Sequence, residues 1–235
     1  MEFLYKDELD FVPFSKFNEK EVLTELDKTI ALGKERLDKI KNNTDVATFE
    51  NTCMELDALD GELSFLTGIF YSLNGANTND NMQKIAREFS PKLSDFGNDI
   101  SLDPVLFSRI KSVYEKRESL DLDQESMRLL CDQYDGFVRG GALLDEAKKE
   151  QLRELDSKLS KLTLEFGENV LASTNAYYLA IESDEDLKGL SEGFIESLKE
   201  NAQRLKIDAP YAVTLDYPSY IPFMQNSENR ELREK

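Results

Sequence analysis

The chain has 235 residues and no histidine. That absence excludes Ser-His and Cys-His nucleophilic catalysis. It also excludes a His-Glu-x-x-His zinc helix and the Glu-x-x-His helices of di-iron bundles. Only Cys53 and Cys131 carry thiols. Each sits in a helical pattern among apolar neighbours and reads as a reduced, buried side chain, and two distant thiols do not make a zinc site. Glycine and proline are sparse, at 11 and 6, which favours long helices over many short strands and turns. No apolar run approaches the ~20 residues that a membrane span needs. Met1–Asp10 lacks the apolar core of a signal peptide, so the Asn42-Asn43-Thr44 sequon carries no weight and the expected compartment is the cytoplasm.

Acid is plentiful. The formal net charge is -18, a field that repels phosphate backbones and anionic lipid, so neither nucleic acid nor a membrane is an expected partner. The apolar share of 40% and charged share of 32% describe a globular, well-solvated chain.

Helical spacing dominates. Residues 1–16 read as irregular, with Pro13 as a breaker. Val22, Leu23, Leu26, Ile30, Leu37 and Ile40 predict a helix over 18–41. Leu56, Leu59, Leu63, Leu66 and Phe70 predict a second from about Thr48 to Leu73, stopped by Asn74–Asn77. Asp80 and Gln83 have capping-box form and open a third, which is expected to bend or restart at Pro91. Asp103-Pro104 starts a short helix to about Lys116, and Asp123 starts another that ends at Gly140-Gly141.

From Asp145 to Ala172, the positions Leu152, Leu155, Leu159, Leu162, Phe166 and Val170 form a coiled-coil-like seam, which we read as one side of an antiparallel hairpin within the chain. After Asn175 the pattern changes. Tyr177–Ile181 and Tyr211–Leu215 read as paired strands around a helix over 191–205. Pro218 and Pro222 predict extended backbone at Tyr217 and Ile221, and a further helix from Ser227. The fold class is therefore mainly α: an antiparallel, bundle-like helical lobe over 1–175, a small two-stranded α/β element over 176–226, and the start of a helix over 227–235. With no C-cap before Lys235, the chain reads as the front part of a longer protein.

Few residues suggest chemistry. Asp121-x-Asp123-x-Glu125 resembles the start of an EF-hand loop, but Ser126 and Asp132 stand where the turn Gly and the bidentate Glu belong, so an acidic helix start is the better reading. A carboxylate pair for glycoside hydrolysis remains open among 47 acidic residues. Gly140-Gly141 lacks the Lys-Ser/Thr of a phosphate loop. Tyr217 and Tyr220 either line a binding groove or pack on the helical layer.

Leu215-Asp216-Tyr217-Pro218-Ser219-Tyr220-Ile221-Pro222-Phe223-Met224, followed by Asn229–Glu234, resembles a segment of the thimet oligopeptidase-like zinc metallopeptidases, of the oligopeptidase A and peptidyl-dipeptidase type. Pro13-Phe14, Thr48–Thr52, Leu73-Asn74, Asn77-Thr78, Pro91–Ser94, Phe137–Leu144, Phe166 and Asn169–Leu171 agree in order. The resemblance implies a mostly helical two-lobed enzyme around a channel for short peptides, with zinc on a His-Glu-x-x-His helix. None of those residues is present here, so no catalytic or metal residue is assigned and no cofactor is expected in this chain; zinc belongs to the full-length parent. The expectation is a non-catalytic N-terminal lobe that walls the channel, with Tyr217 and Tyr220 as channel residues. Its expected partners are short peptides and the C-terminal catalytic region. Cut from that region, the lobe exposes apolar surface and is expected to self-associate. The alternative is a self-standing helical adaptor.

Overall fold

A computed structural model describes Val12, Phe14 and residues 17–235. The irregular N-terminal stretch and its breaker Pro13 lie outside the described residues. The chain is mainly α and separates into two compact units, 1–164 and 165–235.

In the first unit Asn18 caps a 3-10 turn that leads into α1, Val22–Lys41. Val22, Leu26, Leu37 and Ile40 are buried on one face of α1, against α3 (Gly61–Ala76) and α4 (Asp80–Ser101). Phe70 of α3 stacks on Phe89 of α4 with ring centroids 4.8 Å apart, and Tyr71 meets both rings edge-on. Gly33 is required by packing rather than by a turn. A Cβ there would stand 2.6 Å from the Phe96 ring.

Three helix readings need correction. The expected helix over 48–73 is broken. Thr48 and Asn51 form a capping box at a π-helical turn, Phe49–Met54, which runs into the single turn α2, Glu55–Asp57, before α3 begins at Gly61. The break is held from outside: Arg36 donates Nη1 to the Leu59 carbonyl at 3.1 Å and grips both Glu62 oxygens at 2.6 and 2.7 Å. Buried Leu59 and Leu63 keep the apolar row in step across the break, so periodicity alone does not reveal it. The cap of α4 is Asn79, not Asp80; its Oδ1 accepts from Asn81 and Met82 N–H, both at 2.9 Å. Nor does α4 restart at Pro91. Proline removes one backbone bond, a cost of about 3 kcal/mol, and burial of Phe89 and Phe96 on either side outweighs it.

Two starts agree with the sequence. Asp103 caps α5 (Pro104–Tyr114), and Asp123 caps α6 (Gln124–Arg139) by accepting from Ser126 N–H at 2.7 Å. The chain leaves α6 through Gly140-Gly141, where Gly141 takes φ 100°. Phe49, Cys53, Val113 and Leu130 make a small second core beneath the π-helical turn.

The long helix α7 is Glu146–Ala176. The hairpin expected along its seam is not formed. Leu155, Leu159, Leu162, Phe166 and Val170 are exposed, Leu159 at 62% and Phe166 at 70%. A different row faces inward. Lys149 is buried, Arg153 reaches Asp99 at 3.1 Å, and Leu164 packs on the first unit's core.

In the second unit β1 (Tyr178–Ile181) and β2 (Tyr211–Thr214) pair antiparallel, with Tyr178 opposite Thr214 and Ile181 opposite Tyr211. They are joined through a 3-10 turn, Asp184–Leu187, and α8, Glu192–Leu205, which packs on β2. Ile181, Leu187, Leu198, Val213 and Phe223 form its core. The Tyr211 hydroxyl donates to Asp184 at 2.7 Å, and this bond to a carboxylate raises the phenol above its ordinary value. Gly189 takes φ 88° in the turn before α8, and a Cβ there would stand 2.1 Å from the Asn226 carbonyl oxygen. Beside it, Glu228 N–H donates to the Lys188 carbonyl at 2.9 Å. The predicted extended segment at Tyr217 and Ile221 is instead a helix, α9, Tyr217–Asn226. Pro218 lies in the first turn, where the missing N–H has no helical partner to lose. The last helix, α10, begins at Arg230 behind an Asn229 cap rather than at Ser227.

Three measurements test this packing. Phe89→Ala removes half of the aromatic stack and should cost about 3–5 kcal/mol in urea unfolding. Hydrogen bonds from Arg36 hold the Glu62 carboxyl below its ordinary value of 4.5. A depressed folded value means that the pair's contribution is present above about pH 4.5 and lost as pH falls further. Because the two side chains are 34% and 33% exposed, Glu62→Gln should cost no more than about 1 kcal/mol at pH 7, with a shallower acid limb below pH 4.5. Burial, aided by the Glu50 charge, pushes the Cys53 thiol up to about 12. At pH 8 about one in ten thousand is thiolate. A disulfide reagent should therefore label half-buried Cys131 in the native protein, and Cys53 only after denaturation.

Candidate functional site

The site candidates of the sequence lie on α9, and the bonds that place this helix start on β2. Thr214, the last residue of β2, donates its backbone N–H to Ser219 Oγ at 2.9 Å. Ser219 is 5% exposed, and Asn201 of α8 donates to the same oxygen at 3.4 Å and to the Ala212 carbonyl at 3.3 Å. Thr214 Oγ1 donates to Asp216 Oδ2 at 3.0 Å, and Ser219 and Tyr220 N–H both donate to the Asp216 carbonyl at 2.8 Å. The strand's last N–H is thus satisfied by the Ser219 hydroxyl, its last hydroxyl by the Asp216 carboxylate, and the first N–H groups of α9 by the Asp216 backbone carbonyl.

With α9 so placed, Phe223 is buried against β2 and a cavity of about 300 Å³ opens between β1, β2, α9 and α10. Val213 and Phe223 lie at its base. Leu179, Leu215, Tyr220, Met224 and Leu232 contribute to its walls, and Tyr177, Thr214 and Arg233–Lys235 complete its lining. The Tyr177 hydroxyl donates to the Lys235 carbonyl at 3.3 Å. Arg233 Nε is buried with no hydrogen-bond partner among the described residues. The lining mixes apolar side chains with Thr214, Arg233, Glu234 and Lys235, a setting that suits a partly apolar group.

The structure separates the two tyrosines. Tyr220, 40% exposed, lines the cavity; Tyr217, 80% exposed, does not. Sequence reasoning missed Ser219 and Arg233. Ser219 stands five residues after the strand's last residue and near the start of a proline-initiated helix, a position where its hydroxyl can serve an edge N–H. For Arg233 no sequence signal exists, because its isolation arises from the packing of α10.

These residues offer no metal centre. Among the described residues no three His, Cys, Asp or Glu side chains converge to hold an ion. Asp123 of the EF-hand-like stretch is engaged as a helix cap. With no histidine in the chain the residues do not fit a zinc of the His-Glu-x-x-His type, and no chemical step is derived through one. A shallow cleft on α6, lined by Arg128, Cys131, Asp132, Asp135, Gly136 and Arg139, is strongly polar, and Arg128 is already paired with Asp132 at 2.6 Å.

No protein-family profile matches the chain. Curated proteins do. The chain is 33% identical over 193 residues, 82% of its length, to the dipeptidyl carboxypeptidase of Escherichia coli (strain K12), covering 28% of that protein. It is 23% identical to oligopeptidase A of the same strain, with 95% of this chain and 33% of the relative covered. It is also 23% identical to the organellar oligopeptidase A of Arabidopsis thaliana, with 97% and 30% covered. The chain thus spans a third or less of the length of these relatives. Over most of its own length it is a homologue of dipeptidyl carboxypeptidase and oligopeptidase A, the thimet-like oligopeptidases.

Proposed function

We propose that this chain is the non-catalytic, N-terminal helical lobe of a zinc-dependent oligopeptidase, and that it walls the channel by which short, unstructured peptides reach a catalytic centre made by other residues. One observation carries the reading. The chain is similar to peptidases over most of its length, yet it corresponds to a third or less of them and contains no histidine. The peptidase chemistry of such a protein must then reside in residues beyond those matched here. What remains for this part is selection: a wall that admits an extended peptide and excludes a folded one.

The cavity beside Tyr220 supports a contact with peptide. Leu179, Leu215, Met224 and Leu232 would take an apolar side chain of the peptide. Tyr217, exposed at the start of α9, is assigned to the channel surface rather than to the cavity. A cytoplasmic location goes with this reading. It is supported by two free thiols and by the absence, among the described residues, of any helix long and apolar enough to cross a membrane.

Two tests follow. The gene should continue past Lys235 into a His-Glu-x-x-His segment; a stop codon there would favour a self-standing adaptor. In solution the chain should cleave no reporter peptide with zinc added, and peptide hydrolysis by this polypeptide alone would overturn the proposal. Titration with a short peptide bearing leucine or phenylalanine should move amide resonances of Leu215, Tyr220, Leu232 and Arg233. Tyr220→Ala should weaken that binding about three- to tenfold, a loss of about 1 kcal/mol of contact.

A further inference from the structure

Aspartate or asparagine precedes glycine at Asp60-Gly61, Asn74-Gly75 and Asp135-Gly136. Glycine has no side chain to shield its nitrogen, so at each pair that nitrogen can attack the carbonyl carbon of the preceding side chain. The structure separates the three. Gly75 lies inside α3 and Gly136 inside α6, where each N–H donates one turn back and the backbone cannot rotate without breaking the helix. Thr78 Oγ1 also holds the Asn74 side chain, donating to its Oδ1 at 2.9 Å. Gly61 is different. It is the first residue of α3, where a helix N–H has no acceptor in its own helix. Asp60 stands before it at φ -123° and ψ 22°, and its carboxylate makes no capping bond. Gly61 is exposed, and a Cβ added there would meet nothing within 4 Å.

We propose that Asp60-Gly61 is a site of spontaneous main-chain rearrangement to isoaspartate, and that the Arg36 clamp sets its rate. The Gly61 nitrogen bonds to Cγ of the protonated Asp60 carboxyl. Its proton and the carboxyl hydroxyl leave as water, and a five-membered imide forms. Water then reopens the imide. Opening at Cγ restores aspartate; opening at the Asp60 main-chain carbonyl leaves Gly61 joined through Cγ, with the α-carboxylate free. No oxidant, reductant or second protein takes part. Ring closure needs rotation of the Asp60 Cα–C bond away from ψ 22°, which breaks the 2.8 Å bond from Ser64 N–H to the Asp60 carbonyl. Arg36 opposes that rotation because it grips both sides of the pair, the Leu59 carbonyl before it and the Glu62 carboxylate after it. The product has one more main-chain carbon between Leu59 and Glu62, so the two no longer match one guanidinium fork.

The test incubates the 235-residue chain, folded and in urea, and follows isoaspartate and deamidation at the three pairs by peptide mass spectrometry. Each pair is compared with its own rate in urea, so intrinsic chemistry cancels. Folding should protect Asp60-Gly61 least, by a factor at least about tenfold smaller than at the other two pairs. Gly61→Ala has room for its methyl group and should suppress the reaction without loss of helical circular dichroism. Arg36→Ala should speed the rearrangement at Asp60 about three- to fivefold and leave Asn74 and Asp135 unchanged. If that variant loosens the whole fold, all three pairs accelerate together. Glu62→Gln then decides, since it keeps Arg36 on the Leu59 carbonyl: a selective rise at Asp60 upholds the clamp, and no rise overturns it. Protection at Asp60-Gly61 as strong as at the two helical pairs would overturn the proposal outright.

Discussion

One hydrogen bond decides where the pocket can exist. A strand that ends beside open space leaves backbone donors unpaired, and Thr214 gives its N–H to Ser219. That bond draws the start of α9 back over the end of β2. The turn at Asp216 is then short enough for one carboxylate to hold the strand's last hydroxyl and to pair with Arg204 of α8. Phe223 falls into the core and Tyr220 onto the cavity wall as consequences of that placement. Removing the hydroxyl would leave a buried amide unsatisfied, typically a cost of about 1–3 kcal/mol, concentrated where the helix meets the strand.

Much of this was legible from residue order because the responsible forces are local. Asp103 and Asp123 cap helices by bonds spanning two or three residues, and the strand–helix–strand pattern over 178–214 shows in two short apolar, tyrosine-led runs around a helical one. What was not legible depends on distant groups. The break before Gly61 is held by Arg36, more than twenty residues away. Pro91 and Pro222 stay helical because aromatic side chains near them are buried by other elements. The α7 seam shows the limit of periodicity: spacing identifies an apolar row but not which row the core will use. The two candidate tyrosines differ in placement: Tyr220 lies on the cavity wall and Tyr217 in solvent.

The arrangement also explains how a chain without histidine can be related to peptidases. Selecting a substrate and cleaving it make different physical demands. Cleavage needs a few groups at sub-ångström tolerance around a reacting atom. In the proposed role, selection by size asks only for stiff walls, which need no reacting group. The acid-rich surface then acts as a solvating coat, and the half-buried pair of Arg36 with Glu62 serves architecture.

Gly189 carries a consequence for synthesis on the ribosome. Its crowded turn closes on the Asn226 carbonyl, and the neighbouring Lys188 carbonyl is bonded by Glu228. Asp186 likewise accepts from Asn229, some forty residues later. The first unit can settle while the chain is still emerging, since its partners are already present. The turn around Asp186–Gly189 in the second unit gains these partners only once the segment around Asn226–Asn229 has cleared the exit tunnel. Until then the second unit lacks the bonds that tie its first turn to its last helix.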